Sequence, residues 1–238
     1  MIKIEILFPE ICSLYGDTGN VRYLKSCLPD AEFINSGLND TLYFADNEPN
    51  LIYMGPMSEK SQELAINRLM PYKQRFQELI EKGVPMLFTG NACEVFFQYI
   101  ETPEKEKIEA LGILDIYAKR KKTDRYNGFV LGKFNDIDIV GFKSQFTFAY
   151  GNNEDCPFVK VERGIGLNPE CKFEGIKINN TIFTYLLGPI LVLNPQFTRY
   201  ILDLIGGENY PLAFENEIND AFSRRLKEFN NPKFDEEY

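Results

Sequence analysis

The stretch that decides the fold is Gly83-Val84-Pro85-Met86-Leu87-Phe88-Thr89-Gly90-Asn91-Ala92. Its middle is a short apolar run that follows a glycine and a proline and ends at small residues, which is typical of a buried strand in a parallel sheet. The small residues after the run predict a tight turn that leads into a helix over about 93–99. Ligands of α/β sheets bind at the carboxyl ends of the strands, so we expect this turn at the functional edge of the sheet.

The remainder of the first hundred residues alternates between strand and helix in the same way. Alternating apolar and polar residues predict a first strand over 2–8, and short strands follow over 30–34 and 51–54. A long amphipathic stretch over 58–81 is predicted to be helical, with a break or a fresh start at Pro71. This order of elements predicts an α/β fold with a doubly wound, mostly parallel sheet flanked by helices.

The second half of the chain is richer in short strands separated by turn residues. Candidate strands lie over 112–118, 129–131, 137–142, 159–161 and 181–185. Helices are predicted over 195–206 and 212–229. We therefore expect one domain over 1–210, followed by a C-terminal helix and an acidic tail over 211–238.

The composition limits what the chain can bind. Its formal net charge is −9 and its pI is about 4.8, which argues against a generic binder of nucleic acid or anionic membranes, because both need a positive field. The basic run Lys119–Lys122 is interpreted as a solvated loop or strand end. No apolar run reaches the roughly 20 residues that span a bilayer. Five cysteines without a CxxC pair, and no signal peptide, indicate free thiols in a reducing cytoplasm.

Histidine is absent from the chain. It is the commonest general base at neutral pH and the usual activator of serine and cysteine nucleophiles. Ser–His–Asp chemistry, Cys–His chemistry and zinc sites that rely on histidine are therefore excluded within this chain, and we expect no cofactor. Any catalysis must use carboxylates, lysine, tyrosine, a bare thiolate or a partner's residues.

The turn after the central strand has the features of a nucleophile elbow. Such an elbow holds one residue in a strained conformation and presents its side chain to the substrate, with backbone N–H groups nearby for an oxyanion. The apex by this interpretation is Gly90, which has no side chain. Glycine tolerates the backbone of an elbow at no steric cost, so the geometry can survive without a nucleophile.

Two segments carry a specific resemblance to class I glutamine amidotransferases. The stretch over 83–92 resembles their elbow, G-x-P-h-h-x-h-C-G-G with h apolar, and Gly90 falls on the catalytic cysteine. The segment Phe183-Thr184-Tyr185-Leu186-Leu187-Gly188-Pro189-Ile190-Leu191 resembles G-T-Y-L-H-G-P-h-L, and Leu187 falls on the catalytic histidine. Neither residue of the family's dyad is present.

Further segments resemble the cobyric-acid-synthase-like (CobB/CobQ-like) branch of that family. Leu14-Tyr15-Gly16-Asp17-Thr18-Gly19-Asn20 is similar to its L-Y-x-D-x-G-N. Leu111-Gly112-Ile113-Leu114-Asp115, with Arg125 and Gly128 beyond it, is similar to L-G-I-L-D … R-x-x-G. The resemblance runs from about residue 5 to residue 205 and is strongest to the GatD branch.

Two other segments of the branch are degenerate here. Val140-Gly141-Phe142 resembles the start of V-G-F-E-N-H, but Lys143-Ser144-Gln145 replaces its last three residues. Met54-Gly55-Pro56-Met57-Ser58 lies where the family has a glycine-rich oxyanion loop, and Gly55 is the glycine that remains of three. The nucleophile, the base, the loop and the E-N-H segment have thus changed together.

The resemblance implies a flavodoxin-like, class I amidotransferase-like fold and a defined set of partners. Members of the GatD branch hydrolyse glutamine and pass ammonia to a Mur-ligase-like protein that amidates the peptidoglycan stem. For this chain it implies a Mur-ligase-like protein partner and a small amino-acid-like ligand. It also assigns substrate placement to Arg125, and we add Gly55, Asn91 and Gln145 as candidate ligand-binding residues.

The sequence supports three hypotheses on function. The first is a pseudoenzyme that acts by binding a partner or a ligand. The second is an active amidotransferase subunit that uses Cys93 as a relocated nucleophile or a base supplied by its partner. The third is a structural scaffold, for which Phe222, Leu226 and Phe229 on the last helix are a candidate contact surface.

Several single residues have two interpretations. Cys93 is either that nucleophile or a small packing residue, and Glu94 is either a partner of the helix dipole or a base. Asp17 is either a turn or cap residue or a ligand contact. Phe146 and Phe148 either pack in the core or fill the former substrate pocket.

Arg125 has two interpretations as well. It either places a substrate, as the resemblance implies, or pairs with a carboxylate such as Asp115 or Asp124.

Overall fold

The computed structural model describes residues 1–123 and 125–234. Its strands are β1 (Lys3–Leu7), β2 (Glu32–Ser36), β3 (Leu51–Met54), β4 (Met86–Thr89), β5 (Tyr99–Glu101), β6 (Lys107–Glu109), β7 (Ile116–Arg120), β8 (Tyr126–Phe134), β9 (Ile137–Gln145), β10 (Thr147–Gly151), β11 (Pro157–Arg163), β12 (Phe173–Ile178) and β13 (Thr181–Thr184). Its α-helices are α1 (Thr18–Cys27), α2 (Glu59–Leu69), α3 (Lys73–Glu81), α4 (Ile190–Leu193), α5 (Pro195–Leu204) and α6 (Glu215–Phe229). Short 3₁₀ helices cover Leu14–Gly16, Tyr43–Ala45, Met70–Tyr72 and Gly90–Phe96.

The main sheet of the described residues has nine strands in the order β2-β1-β3-β4-β13-β12-β11-β8-β9. The first five strands in this order pair in parallel, and β4 lies between β3 and β13. The predicted doubly wound α/β fold is confirmed for this half. The other pairs are antiparallel, so the sheet is mixed rather than mostly parallel. The reason is local: only Asn135 and Asp136 separate β8 from β9, and a two-residue connection can join only antiparallel strands.

A second sheet, in the order β10-β7-β5-β6, covers one side of the core. Its inner side chains, among them Ile100, Ala118 and Ala149, belong to a cluster that also holds Phe88 and Phe96. The outer side chains of β5, β7 and β10 include the half-buried Tyr99, Glu101, Tyr117, Lys119 and Tyr150. The end of β7 is linked to the turn after β4 through α2, because Arg120 Nη2 donates to Gln62 Oε1 and Gln62 Nε2 donates to Glu94 Oε2.

The helix predicted over 93–99 is wrong. The segment is a 3₁₀ helix over Gly90–Phe96 followed by β5. The main chain leaves the helix because its carbonyl groups bind another segment: Leu111 N–H donates to the Val95 carbonyl at 3.0 Å, and Gly112 N–H donates to the Phe97 carbonyl at 2.6 Å. The Phe96 ring then packs 4.2 Å from that of Phe88.

The break predicted at Pro71 is confirmed, since Pro71 lies in the 3₁₀ turn between α2 and α3. The predicted contact surface of the last helix is not free. Phe222, Leu226 and Phe229 of α6 pack against the buried residues of β8 and β9. These apolar side chains are therefore used inside the chain. No helix of the described residues is long and apolar enough to cross a membrane.

Candidate functional site

The turn after β4 has the backbone of an elbow. Thr89 ends the strand in an extended conformation, and Gly90 follows with φ +59°, in the left-handed region. A Cβ atom at position 90 would lie 2.6 Å from Pro56 Cβ and 3.1 Å from Leu187 Cδ2. The first distance is shorter than real carbon contacts allow. The space that a side chain at the apex needs is therefore filled by Pro56.

Leu187 lies in the segment after β13, and its side chain faces the elbow. Its side chain is buried, and its N–H donates to the Phe142 carbonyl at 2.9 Å. The structure thus brings together Gly90 and Leu187, the two positions that the sequence identified separately. The corner between them is apolar, and it offers no group that could take a proton.

The loop after β3 supplies no free backbone donor from Pro56 or Met57. Pro56 has no N–H group. The N–H of Met57 donates to Asn91 Oδ1 at 3.0 Å, and Asn91 Nδ2 donates back to the Met57 carbonyl at 2.8 Å. The Asn91 amide thus holds this loop in a two-way clamp. An oxyanion hole needs N–H groups that point into the site, and the Met57 group is already used.

A cavity of about 170 Å³ opens beside the elbow. Its polar lining comes from Tyr15, Ser58, Glu59, Asn91, Glu94, Arg125, Ser144, Gln145, Thr147 and Tyr185. The cavity contains three of the four ligand-binding residues expected from the sequence. The fourth, Gly55, does not line the cavity. It lies next to Asp17, and a Cβ added to Gly55 would be 3.1 Å from a carboxylate oxygen of that residue.

Arg125 crosses the exposed side of the cavity. Its Nη2 donates to the Tyr15 hydroxyl at 2.7 Å, and its guanidinium lies 4.9 Å from the Phe146 ring centroid. Among the described residues no carboxylate lies within 4.0 Å of Arg125, Asp115 included; Asp124 is outside those residues.

Tyr15 reaches Arg125 from a left-handed backbone with φ 56°. A non-glycine residue in that region stores about 1–3 kcal/mol and is held there by its surroundings. Tyr15 is therefore held beside Arg125 by its surroundings.

Gln145 and the two phenylalanines differ in their surroundings. Gln145 Nε2 donates to the Thr147 carbonyl at 2.6 Å, while its buried Oε1 accepts no hydrogen bond within the described residues. Phe146 lines the cavity. Phe148 is buried in a separate cluster with Tyr126 and Ile165. Of the two rings, Phe146 occupies part of the site, and Phe148 packs in the core.

Glu94 lies in the buried part of the cavity lining. Its Oε1 accepts from the Tyr185 hydroxyl at 2.9 Å, and its Oε2 accepts from Gln62 Nε2 at 2.8 Å. Burial raises the pKa of this carboxyl to about 7. Its predicted role as partner of a helix dipole is wrong, because no α-helix begins at the elbow. The signal that could have found it is a lone carboxylate in the otherwise uncharged run 83–100.

Cys93 lies behind the cavity and does not line it. Its side chain is 1% exposed, and burial, followed by the charge of Glu94, raises the pKa of the thiol well above its usual value. The thiol is therefore protonated at neutral pH.

A buried ion pair lies close to this thiol. Lys143 Nζ donates to the Gly166 carbonyl at 2.6 Å and lies 3.5 Å from Glu174 Oε1. Burial lowers the pKa of Lys143, and the charge of Glu174 opposes that change. Glu174 also accepts from the Thr184 hydroxyl at 2.7 Å, so the pair is embedded in the end of β13. No cluster of three or more potential metal ligands occurs in residues 1–123 and 125–234.

Asp17 connects the elbow to α1. It occupies the N-cap position of α1, yet its side chain makes no capping hydrogen bond. Its carboxylate instead accepts from the Thr89 hydroxyl at 2.5 Å, from Asn20 Nδ2 at 3.0 Å and from the Tyr53 hydroxyl. Burial raises the pKa of Asp17 despite these bonds. Asp17 is thus a buried support beneath the elbow, and it does not line the cavity.

Comparisons with curated proteins identify relatives over most of the chain. It is 32% identical over 194 residues to the "Lipid II isoglutaminyl synthase (glutamine-hydrolyzing) subunit GatD" of Staphylococcus aureus (strain N315), a match that covers 80% of this chain and 79% of the relative. It is 24% identical over 200 residues to the subunit of the same name from Streptococcus pneumoniae (strain ATCC BAA-255 / R6), covering 81% and 76%. No family model matches the chain.

Solved structures show the same fold at low identity. One titled "Crystal structure of glutamine amidotransferase" superposes with a TM-score of 0.55 at 13% identity, covering 85% of this chain and 98% of the other. The "Trypanosoma brucei CTPS - glutaminase domain with bound acivicin" superposes with a TM-score of 0.54 at 10% identity, covering 89% and 96%. At these identities the likeness concerns the fold alone.

Proposed function

The chain belongs to the GatD family of glutamine amidotransferase subunits, and we propose that it is a member without glutaminase activity that acts by binding. The observation that carries the proposal is the position of Pro56 next to the apex of the elbow. Pro56 Cβ lies 2.6 Å from where the Cβ of a nucleophile at position 90 would be. Pro56 thus occupies the space that a side chain at position 90 would need.

Three requirements of glutamine hydrolysis are absent together. Gly90 supplies no nucleophile, Leu187 supplies no base, and the Met57 N–H is bound to the Asn91 side chain. Removal of a nucleophile and its base costs on the order of 10⁴–10⁶ in rate. The remaining contacts of the pocket cannot restore a useful turnover.

The cavity supports the binding of a small amino-acid-like ligand. Arg125 has no ion pair among the described residues, so its guanidinium is available to a ligand carboxylate. Glu59 also lines the cavity and suits a ligand's ammonium group. Gln145, whose buried Oε1 accepts no hydrogen bond within the described residues, lines the same cavity. Such a distribution of charge matches a zwitterion better than a simple anion.

The second part of the proposal is a protein partner. The curated relatives are named as subunits of a synthase, which supports a partner chain for this protein. The resemblance described above makes a Mur-ligase-like protein the candidate. In this proposal the chain contributes a bound ligand or a binding surface to the partner, and it contributes no ammonia.

A glutaminase assay tests the catalytic part. The purified chain, alone and with a co-purified Mur-ligase-like partner, should release no glutamate from glutamine above background, while the Staphylococcus aureus relative serves as the active control. Glutamate release without a partner that Cys93→Ser abolishes and Cys27→Ser leaves intact would refute the proposal. Release only with the partner would also refute it, and would show that the site is completed in trans.

Calorimetry tests the ligand part. L-Glutamine should bind more tightly than L-glutaminamide, which lacks the α-carboxylate. Because a hydrogen bond to a charged group contributes about 1.5–3 kcal/mol, Arg125→Gln should weaken glutamine binding about 10- to 100-fold. Equal affinity of the two compounds for the unmodified chain would contradict the role of Arg125.

A further inference from the structure

The outer side of the small sheet carries a groove of unusual charge. Six charged residues line it: Lys105, Lys119, Arg120, Lys121, Lys122 and Glu101. We call this the basic groove. Its volume is about 390 Å³, and it lies on a chain whose formal net charge is −9. A local excess of positive charge on an acidic protein requires a specific explanation.

Part of this charge is neutralised within the chain. Lys105 Nζ lies 2.9 Å from Glu101 Oε1, which lowers the pKa of Glu101. Arg120 turns inward, where its Nη1 lies 3.9 Å from Glu63 Oε1 and its Nη2 donates to Gln62 Oε1 at 3.0 Å. Within the described part of the chain, no carboxylate lies within 4.0 Å of Lys119, Lys121 or Lys122.

Aromatic rings hold two of these lysines in place. Lys119 Nζ lies 5.3 Å from the centroid of the Tyr150 ring, and Lys121 Nζ lies 4.9 Å from that of Phe148. A cation over an aromatic ring is attracted to it but keeps its full charge. The groove therefore presents ordered positive charges beside an apolar wall. That combination fits a partner segment that carries both carboxylates and apolar side chains.

The geometry of the tyrosines favours a protein over a nucleic acid. Across the sheet the ring centroids of Tyr99 and Tyr117 are 5.2 Å apart, and those of Tyr117 and Tyr150 are 5.7 Å apart, with nearly parallel planes. Lys107 Nζ lies 3.9 Å from the Tyr99 centroid. The ring faces are therefore already covered by neighbours, whereas a base needs a free ring face to stack on.

We propose that the basic groove docks an acidic segment of a partner protein, whose carboxylates bind Lys119, Lys121 and Lys122. The proposal rests on the proposed function in expecting a partner, and it assigns the face and the chemistry of the contact. This face is separate from the cavity beside the elbow, with which it shares no lining residue. Its test is therefore independent of glutamine.

The experiment measures fluorescence anisotropy with a labelled peptide of three Glu-Glu-Leu repeats and the full chain. Binding should be saturable, should weaken as salt rises from about 20 to about 200 mM because screening grows, and should be absent with three Gln-Gln-Leu repeats. Lys119→Glu with Lys121→Glu should weaken it at least tenfold. The matched control, Lys172→Glu with Lys227→Glu, changes the net charge equally at exposed sites elsewhere and should alter it less than twofold.

Three results would overturn the proposal. The first is a lack of saturable binding of the acidic peptide at low salt. The second is a loss of peptide affinity in the control pair that equals the loss in the groove pair. The third is tighter binding of a single-stranded oligonucleotide than of the acidic peptide. Thermal unfolding of each variant verifies that it is folded, and Lys119→Gln with Lys121→Gln provides a milder second pair that should weaken binding in the same direction. Glutaminase activity of the chain would refute the proposed function but would not change the interpretation of peptide binding at the basic groove.

Discussion

Replacing Gly90 with alanine tests whether the site has closed around the missing nucleophile. The substitution places a methyl group 2.6 Å from Pro56 Cβ on a backbone with φ +59°. A left-handed backbone costs a non-glycine residue about 1–2 kcal/mol, and the loss of unfolded-state entropy returns about 0.4–1 kcal/mol. Overpacking against Pro56 adds about 1–3 kcal/mol. We expect the free energy of unfolding to fall by about 3 kcal/mol.

Gly206 is the matched control for this change. Its φ of +81° is also left-handed, but an added Cβ would meet nothing within 4 Å. Gly206→Ala therefore carries the backbone cost without the clash, and it should lower the free energy of unfolding by about 1 kcal/mol or less. Urea denaturation measures both values under the same conditions.

A double-mutant cycle with Pro56→Gly isolates the contact itself. In the Pro56→Gly background the cost of Gly90→Ala should fall toward that of Gly206→Ala, because the 2.6 Å contact is gone and only Leu187 Cδ2 at 3.1 Å remains. A coupling energy of about 1 kcal/mol or more is expected. Equal costs for Gly90→Ala and Gly206→Ala, or no coupling to Pro56, would refute the reasoning that the site is closed.

Two further predictions concern the buried charges near the cavity. Burial raises the pKa of Glu94 to about 7, so its protonated form is favoured in the folded state. As pH rises from about 4.5 through 7, the free energy of unfolding of the wild type should therefore fall by about 2–3 kcal/mol relative to that of Glu94→Gln. Urea denaturation of the two proteins over this pH range measures the difference. Lys143→Met alone leaves Glu174 buried without its cation and should cost about 3–5 kcal/mol, whereas Lys143→Met with Glu174→Gln should cost less; a double variant as unstable as the single one would contradict the ion pair.

The sequence predicted the parallel half of the fold because its signals there are local. The apolar run that became β4, the glycine at the apex and the proline between α2 and α3 each determine their own surroundings. The helix over 93–99 failed for a non-local reason. The main chain of Val95 and Phe97 bonds to residues 111 and 112, and this pairing cannot be seen from the residues themselves.

The site followed the same division. The positions of Gly90 and Leu187 could be read from motifs, and the structure places them side by side. The roles of Asp17, Asn91 and Glu94 could not, because each depends on a partner 32 or more residues away: Thr89, Met57 and Gln62. Side chains that act through distant partners leave no periodic signal in a single sequence.

The short distance between Pro56 and a Cβ at position 90 also limits which substitutions this site accepts. Proline at 56 is compatible only with glycine at 90, because any Cβ there would lie 2.6 Å from Pro56 Cβ. Glycine at 90, in contrast, is compatible with a glycine in the loop, as in the amidotransferase pattern. We therefore expect Gly90→Cys alone to produce a strained elbow. If the proposed function holds, we expect Gly90→Cys to gain glutaminase activity only together with Pro56→Gly and Leu187→His, and with the Met57 N–H released from Asn91.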